Sequence, residues 1–328
     1  MSFRKIVSIL NCSRIYSLPM TIMSWLVIFI YTATSSGNKL LGFISLFGIA
    51  FAHLGTNVLD DYFDYKFLIK QTNFDKKEYL KNSQATKCRY IISGELKEKE
   101  VLFVALGYLG IAGVIGLILY FLCGRGVIYY TLGASFFILL YPFLSRIRLS
   151  EFAIGITYGP ILFGGVYYVM TKTYSWDIFI LSIPTMIVTV ILLYIHSVMD
   201  FDFDLNENHN TIANSFDSQL DSLIVLKILL ILSYISPIIL CIFDILDWQV
   251  FLVCLTIPLA IDLFYAMYDF SINSNSIPKH KWYHFPMENL KYMRTIEEKA
   301  FMFRMLLSRN LMIYYSILLV IAILLGIN

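Results

Sequence analysis

The chain has 328 residues, 58% hydrophobic and 16% aromatic but only 15% charged, with a mean hydropathy of +0.71. An average soluble domain carries about 25% charged residues, so this balance excludes a soluble globular enzyme. A net charge of +2 with no basic, aromatic-interleaved face excludes nucleic-acid binding, and five isolated cysteines (Cys12, Cys88, Cys123, Cys241, Cys254) exclude a zinc centre or a disulfide framework.

Nine apolar runs of 18 or more residues, each with no ionisable group or one, lie near 16–33, 40–59, 101–121, 127–144, 152–170, 178–199, 222–243, 248–268 and 310–327. Each is long enough to cross roughly 30 Å of hydrocarbon. The first follows Arg4, Lys5 and Arg14 as a signal peptide would, but no small-residue cleavage site follows it and eight more runs do, so it is read as a membrane helix. The expected fold class is therefore all-α: a polytopic membrane protein of nine transmembrane helices, forming one domain over 1–328. Arg4, Lys5 and Arg14, the basic segment from Lys66 to Lys99, Arg146 with Arg148, Lys227, and the segment from Lys279 to Arg309 fall on one side; only Lys39, Arg125 and Lys172 fall on the other. The positive-inside rule makes the rich side cytoplasmic, with 66–100 and 271–309 as cytoplasmic loops. The longer of these is open to two readings, a lid or a solvated connection. Within the third run Gly107, Gly110, Gly113 and Gly116 recur every third residue, predicting a smooth face that a neighbouring helix approaches closely.

The chemistry gathers where the second and sixth runs end. The second ends in Asn57-Val58-Leu59-Asp60-Asp61-Tyr62-Phe63-Asp64. If the helix continues at about 100° per residue, Asn57, Asp61 and Asp64 fall within roughly 60° of one another, with Asp60 at the edge. The sixth places His196, Asp200 and Asp204 at successive i, i+4 positions, with Asp202 pointing elsewhere. Clustered carboxylates repel unless cations neutralise them, and oxygen-only donors suit hard ions, above all Mg²⁺ shared with phosphate oxygens. Arg89 and Lys97 supply fixed positive charge nearby in sequence. The plain alternative is a solvated helix end. Asp262 is the one carboxylate inside an apolar run, suited either to orienting a substrate hydroxyl or to pairing with a neighbouring helix. His196 is similarly open, while His280 and His284, with no acid between them, read as loop-surface residues.

With these motifs the sequence resembles the UbiA superfamily of intramembrane prenyltransferases, which have nine helices around a central cavity capped on the cytoplasmic side. Asn57, Asp61 and Asp64 match the family's NxxxDxxD motif, Asp200 and Asp204 its DxxxD motif, and Arg89-Tyr90-Ile91-Ile92-Ser93-Gly94 its following basic Ser-Gly segment. Asp60-Asp61-Tyr62-Phe63-Asp64-Tyr65-Lys66 and the run from Gly159-Pro160 to Tyr167-Tyr168-Val169 are similar to the branch that prenylates 1,4-dihydroxy-2-naphthoate in menaquinone synthesis. The chain departs from that pattern at Asp60, where Asn is usual, and at Leu68 and Lys70, where a further acid is usual. It departs again at Met199 for an Arg and at Asn208-His209-Asn210-Thr211 for Gly-Lys-x-Thr.

The resemblance implies Mg²⁺-dependent transfer of a polyprenyl group from prenyl diphosphate to a lipophilic or aromatic quinone-precursor acceptor, among membrane lipids. Asn57, Asp60, Asp61, Asp64, Asp200 and Asp204 would hold the metal, with Asp61, Asp64, Asp200 and Asp204 catalytic. Arg89, Lys97, His196 and Asp262 would contact substrate, and Tyr62, Tyr158 and Tyr194 would face the allylic cation. A terpene cyclase of the same fold and an ion-coupled transporter are the alternatives; the second calls for acids near the bilayer midplane and broken helices.

Overall fold

The computed structural model describes residues 3–70, 76–81, 88–144, 147–206 and 210–326. Every regular element among them is helical, as expected for runs that must satisfy each backbone N–H and C=O within their own segment. Two compact units emerge, Met1–Ile22 with Leu40–Arg125 and Met23–Lys39 with Gly126–Asn328.

The first unit opens with α1 (Phe3–Cys12), a 3₁₀ turn (Ile15–Ser17) and the start of α2 (Leu18–Thr34), whose remainder from Met23 belongs to the second unit. It continues with α3 (Lys39–Leu68), the short α4 (Lys76–Lys81) and α5 (Arg89–Ile92), and α6 (Glu98–Cys123). α3 runs unbroken through the first acidic motif, as its predicted register requires. The close approach of α3 and α6 reverses the expectation from the glycine stripe. A Cβ on Gly107, Gly110, Gly113 or Gly116 would meet nothing within 4 Å, whereas one on Gly48 or Gly55 of α3 would lie 3.0 Å from Ile115 or 2.8 Å from Leu109. The glycines that admit a neighbour are therefore on α3, and large α6 side chains fill the space they leave. Cys12, Val58, Ile91, Leu96, Val101 and Ala105 form the buried apolar cluster beneath the motif.

The second unit comprises α7 (Gly126–Leu144), α8 (Ser150–Ile156), a π turn (Thr157–Ile161), α9 (Leu162–Thr171), α10 (Trp176–Met199), α11 (Phe201–Asn206) and α12 (Gln219–Ile242). A 3₁₀ stretch (Trp248–Thr256), α13 (Ile257–Ile272) and α14 (Ile296–Leu325) complete it. Ser175, Ser218 and Thr295 cap α10, α12 and α14, each hydroxyl accepting a first-turn N–H at 3.1 Å. Pro160 has no N–H to give to the helix ladder, and the fifth run widens into its π turn there. Gly159 within that turn lets Met186 of α10 approach to 2.9 Å of where a Cβ would stand. Ile191, Ile195 and Val198 of α10 pack with Leu226, Leu263, Met267, Phe303 and Leu307 in the core of this unit.

Among the described residues eight helices are long and apolar enough to cross a membrane, and Gly126–Leu140 forms a shorter apolar one where the fourth of nine runs is expected. α14 starts 14 residues ahead of its apolar run. Thr295 caps it and its first half carries Glu297, Glu298, Lys299, Arg304 and Arg309, which an apolar-run reading passes over. The segment joining α13 to α14 is correspondingly shorter, 273–295.

Candidate active site

In the first unit the N-terminal turn wraps the polar edge of α3. Arg14 adopts a left-handed backbone conformation (φ 52°), costly for a residue with a Cβ. From there its guanidinium donates to Asp61 Oδ1 and lies 3.8 Å from Asp60 Oδ2. Asp61 is only 2% exposed, and the adjacent cation is what makes a buried carboxylate tolerable. Cys12 Sγ sits 3.9 Å from the other Asp61 oxygen, and the Cys88 thiol donates to the Asp61 carbonyl at 3.1 Å. Burial, then the Asp61 charge, push the Cys12 thiol up to about 12, so it is an inert neighbour. One and two turns earlier, Asn57 Nδ2 donates to Ser13 O (3.2 Å) and Ser17 Oγ (3.3 Å). His53 holds Ser17 Oγ at 2.6 Å and Thr21 Oγ1 at 2.7 Å.

His53, Asn57 and Asp61 thus form one i, i+4, i+8 strip anchored by residues 12–21. Neither His53 nor Arg14 was picked out by the sequence, where one reads as a lone polar residue in an apolar run and the other as a topology charge. Asp64 and Tyr62 are half-buried; Tyr62 rests on the apolar cluster, with Lys66 Nζ 5.8 Å from its ring centre. Arg89, the first residue of α5, and Lys97, just before α6, are exposed.

In the second unit α10 ends at Met199, yet the Asp200 N–H donates to His196 O (3.0 Å) and the Asp204 N–H to Asp200 O (2.8 Å). The expected i, i+4 register therefore survives the junction with α11. Asp200 is buried; its Oδ2 lies 2.9 Å from His196 Nδ1, while its buried Oδ1 has no hydrogen-bond partner among the described residues. His196 stands edge-on to Phe301, ring centres 5.6 Å apart. Asp204 is half-buried and Asp202 exposed. Glu151, at the start of α8 and 3% exposed, accepts from Ser197 Oγ at 3.1 Å and Ser150 Oγ at 2.8 Å. This second buried carboxylate beside the motif had no signal in the sequence beyond a single acid before an apolar run. Gln219 Nε2 donates to Val198 O at 2.6 Å, pinning the end of α10. Tyr194 is wholly buried with its OH donating to Ser222 O at 2.6 Å, and Tyr158 is half-buried in the π turn. Asn208, His209 and Arg146 lie outside the described residues.

Asp262 is met by the segment between α13 and α14. Lys281 Nζ donates to Oδ1 at 2.7 Å, Tyr283 OH to Oδ2 at 2.7 Å and His284 Nε2 to Oδ2 at 2.8 Å. The Lys281 N–H approaches His284 Nδ1 at 3.3 Å, which selects the tautomer with the proton on Nε2. His284 is 1% exposed, correcting its reading as a surface residue. Burial depresses its basicity against the opposing pull of Asp262, while Asp262 raises that of Lys281. Asn310 Nδ2 donates to His284 O (2.7 Å) and Pro286 O (3.0 Å), Arg309 to Pro286 O (3.0 Å), and Tyr314 to Phe285 O. The segment is a strap pinned to both helices.

Among the described residues no three or more His, Cys, Asp or Glu side chains gather to hold a metal by themselves. Mg²⁺ usually takes one or two carboxylates and completes its shell with water and phosphate oxygens, so sparse carboxylate donors such as Asp200 Oδ1 fit an ion that arrives with a phosphate ligand.

The UbiA prenyltransferase family matches residues 18–288. Solved structures share the fold, the following three among them. A digeranylgeranylglyceryl phosphate synthase is 17% identical with a TM-score of 0.59, each chain covered over 98%. A UbiA homologue from Archaeoglobus fulgidus, bound to GPP and Mg²⁺, is 14% identical with a TM-score of 0.58, over 95% of this chain and 99% of that one. The apo UbiA homologue from Aeropyrum pernix K1 is 16% identical with a TM-score of 0.53, over 90% and 96%. No curated protein matches the chain.

Proposed function

From a chain that belongs to the UbiA prenyltransferase family, we propose an integral membrane enzyme that transfers a polyprenyl group from its diphosphate to an aromatic quinone precursor of the 1,4-dihydroxy-2-naphthoate type. The observation that carries the reading is the state of the two acidic motifs. Each keeps carboxylates in a half-buried or buried helical register beside a basic side chain, Arg14 for Asp61 and His196 for Asp200. Asp61 and Asp64 in one unit and Asp200 and Asp204 in the other would be the metal donors, with Asn57 and Asp60 beside them. Bound Mg²⁺ would supply Lewis acidity that stabilises the departing diphosphate. Arg89 and Lys97, exposed and basic, attract the phosphate oxygens. His196 fixes the rotamer of Asp200 through Oδ2 and leaves Oδ1 as the donor. The rings of Tyr62 and Tyr158 offer faces to an allylic cation, and an apolar surrounding keeps water from it. The family and its structural neighbours do not favour the cyclase or the transporter.

The test is incubation in nanodiscs with labelled farnesyl or geranylgeranyl diphosphate and Mg²⁺, with and without 1,4-dihydroxy-2-naphthoate, using wild type, Asp61→Ala and Asp200→Ala. A Mg²⁺-dependent prenylated naphthoate, absent from both variants, is expected. Diphosphate release yielding only hydrocarbon or prenol would overturn the acceptor, and turnover undiminished in either variant would overturn the role of that carboxylate.

A further inference from the structure

α1 is amphipathic in the reverse sense for a helix packed on a water-facing surface. Phe3, Ile6, Val7 and Leu10 recur at i, i+3, i+4 and i+7, one apolar stripe. That stripe points away from the protein: Phe3 is 82% exposed, Ile6 43% and Val7 38%. The polar positions point inward. Lys5 Nζ pairs with Glu100 Oε1 at 2.5 Å, and the buried Ser8 hydroxyl donates to Glu95 Oε2 at 2.7 Å. The apolar exposure continues through Ile15 and Tyr16 into the span Ile15–Thr34, so the stripe abuts a segment that enters the membrane. Ten residues reach only about 15 Å, too short to cross. Arg4 and Asn11 lie at the stripe's edge and are exposed.

We propose that α1 lies in the plane of the bilayer surface, its Phe3/Ile6/Val7/Leu10 stripe sunk into the acyl boundary of the leaflet and Arg4 level with the lipid phosphates. A second copy of the chain is the weaker occupant: a face of roughly 15 by 10 Å falls well short of the roughly 800 Å² per partner that stable association takes. The helix is also the arm that carries Cys12 and Arg14 to Asp61, so the bilayer sets the position of the counter-charge on the first acidic motif. That consequence rests on the function proposed above; the seating of the helix does not.

The experiment places a nitroxide on a cysteine introduced at Phe3, Val7 or Asn11 of the full chain, with Cys241 and Cys254 replaced by Ser, in nanodiscs holding one copy. Power saturation with oxygen, which partitions into hydrocarbon, and with a water-soluble nickel chelate reads the surroundings of each label without any turnover. Labels at 3 and 7 are expected to respond several-fold more to oxygen than to nickel, and the label at 11 the reverse. Nickel-dominated relaxation at 3 and 7 would overturn the proposal. So would spin–spin broadening at position 7 that appears in two-copy discs and accompanies the loss of oxygen access. For the coupling, Val7→Glu is expected to lower the apparent KM for Mg²⁺ several-fold with kcat within twofold, because an Arg14 drawn away from Asp61 no longer competes with the cation; an unchanged KM would overturn the coupling alone. Absent turnover in wild type would count against the proposed function and leave the spin-label result standing.

Discussion

Arg14→Met isolates the electrostatics of the first motif. Asp61 has 3% of its side chain exposed and Arg14 24%, so the variant strands a buried carboxylate whose nearest cation is gone. Removing one partner of a buried pair costs about 3–5 kcal/mol. Solvent access on the arginine side places this pair at the lower end, about 3 kcal/mol, seen as a melting temperature several degrees lower in metal-free detergent solution. A divalent cation on Asp61 replaces the missing charge. A ligand at 100 times its Kd adds about 2.7 kcal/mol of stability, so saturating Mg²⁺ should recover most of the loss. In the wild type Mg²⁺ must first displace Arg14, so its stabilising effect there is smaller. The assay is a melting curve across a Mg²⁺ titration for wild type, Arg14→Met and Arg14→Lys, the last falling between because it keeps the charge and loses the planar fork. Equal stability of Arg14→Met and wild type without metal would refute the burial argument. An equal Mg²⁺ response in both would refute the exchange of guanidinium for cation.

Three further outcomes follow from individual residues. Arg304 is fully buried and donates to Ala266 O, Ser276 O, Ala300 O and Ser276 Oγ, with its guanidinium 4.6 Å from the Phe270 ring centre. Arg304→Met is expected to lower stability by about 3 kcal/mol, since it orphans several buried acceptors at once, and Arg304→Lys to restore little of it in the same melting assay. His284 has its folded-state basicity depressed by burial, so its contribution to stability is complete above its unfolded pKa and is lost as pH falls. The wild-type melting temperature should therefore decline below about pH 6.5. His284→Gln, which keeps a donor for Asp262 but cannot titrate, should flatten that part of the pH profile. Gly126→Ala would set a Cβ 2.2 Å from the Tyr168 ring and should cost about 1–3 kcal/mol. Gly110→Ala, open on that side, should be neutral or stabilising by up to about 1 kcal/mol.

The helices were legible because hydrocarbon leaves a backbone few choices, and the acidic registers were legible because i, i+4 spacing survives wherever helical hydrogen bonding does, even across the Met199–Asp200 junction. Other features depended on partners far away in sequence. Gly107 to Gly116 have a small-residue spacing suited to close packing, but close approach needs a large side chain opposite, and it was Gly48 and Gly55 that faced Leu109 and Ile115. Asp262 was conspicuous as an intramembrane carboxylate. Its partners Lys281, Tyr283 and His284 lie 19 to 22 residues on, in a segment whose polar composition looks like any solvated connection until Asn310, Arg309 and Tyr314 are seen to hold its carbonyls. Arg14 was hidden for the opposite reason, since a basic residue before a first span is fully explained by topology. Sequence periodicity thus found the carboxylates and missed the cation that Asp61 is folded against. Asp61 is held in an ion pair with Arg14, and a cation arriving there would compete with a residue already in place.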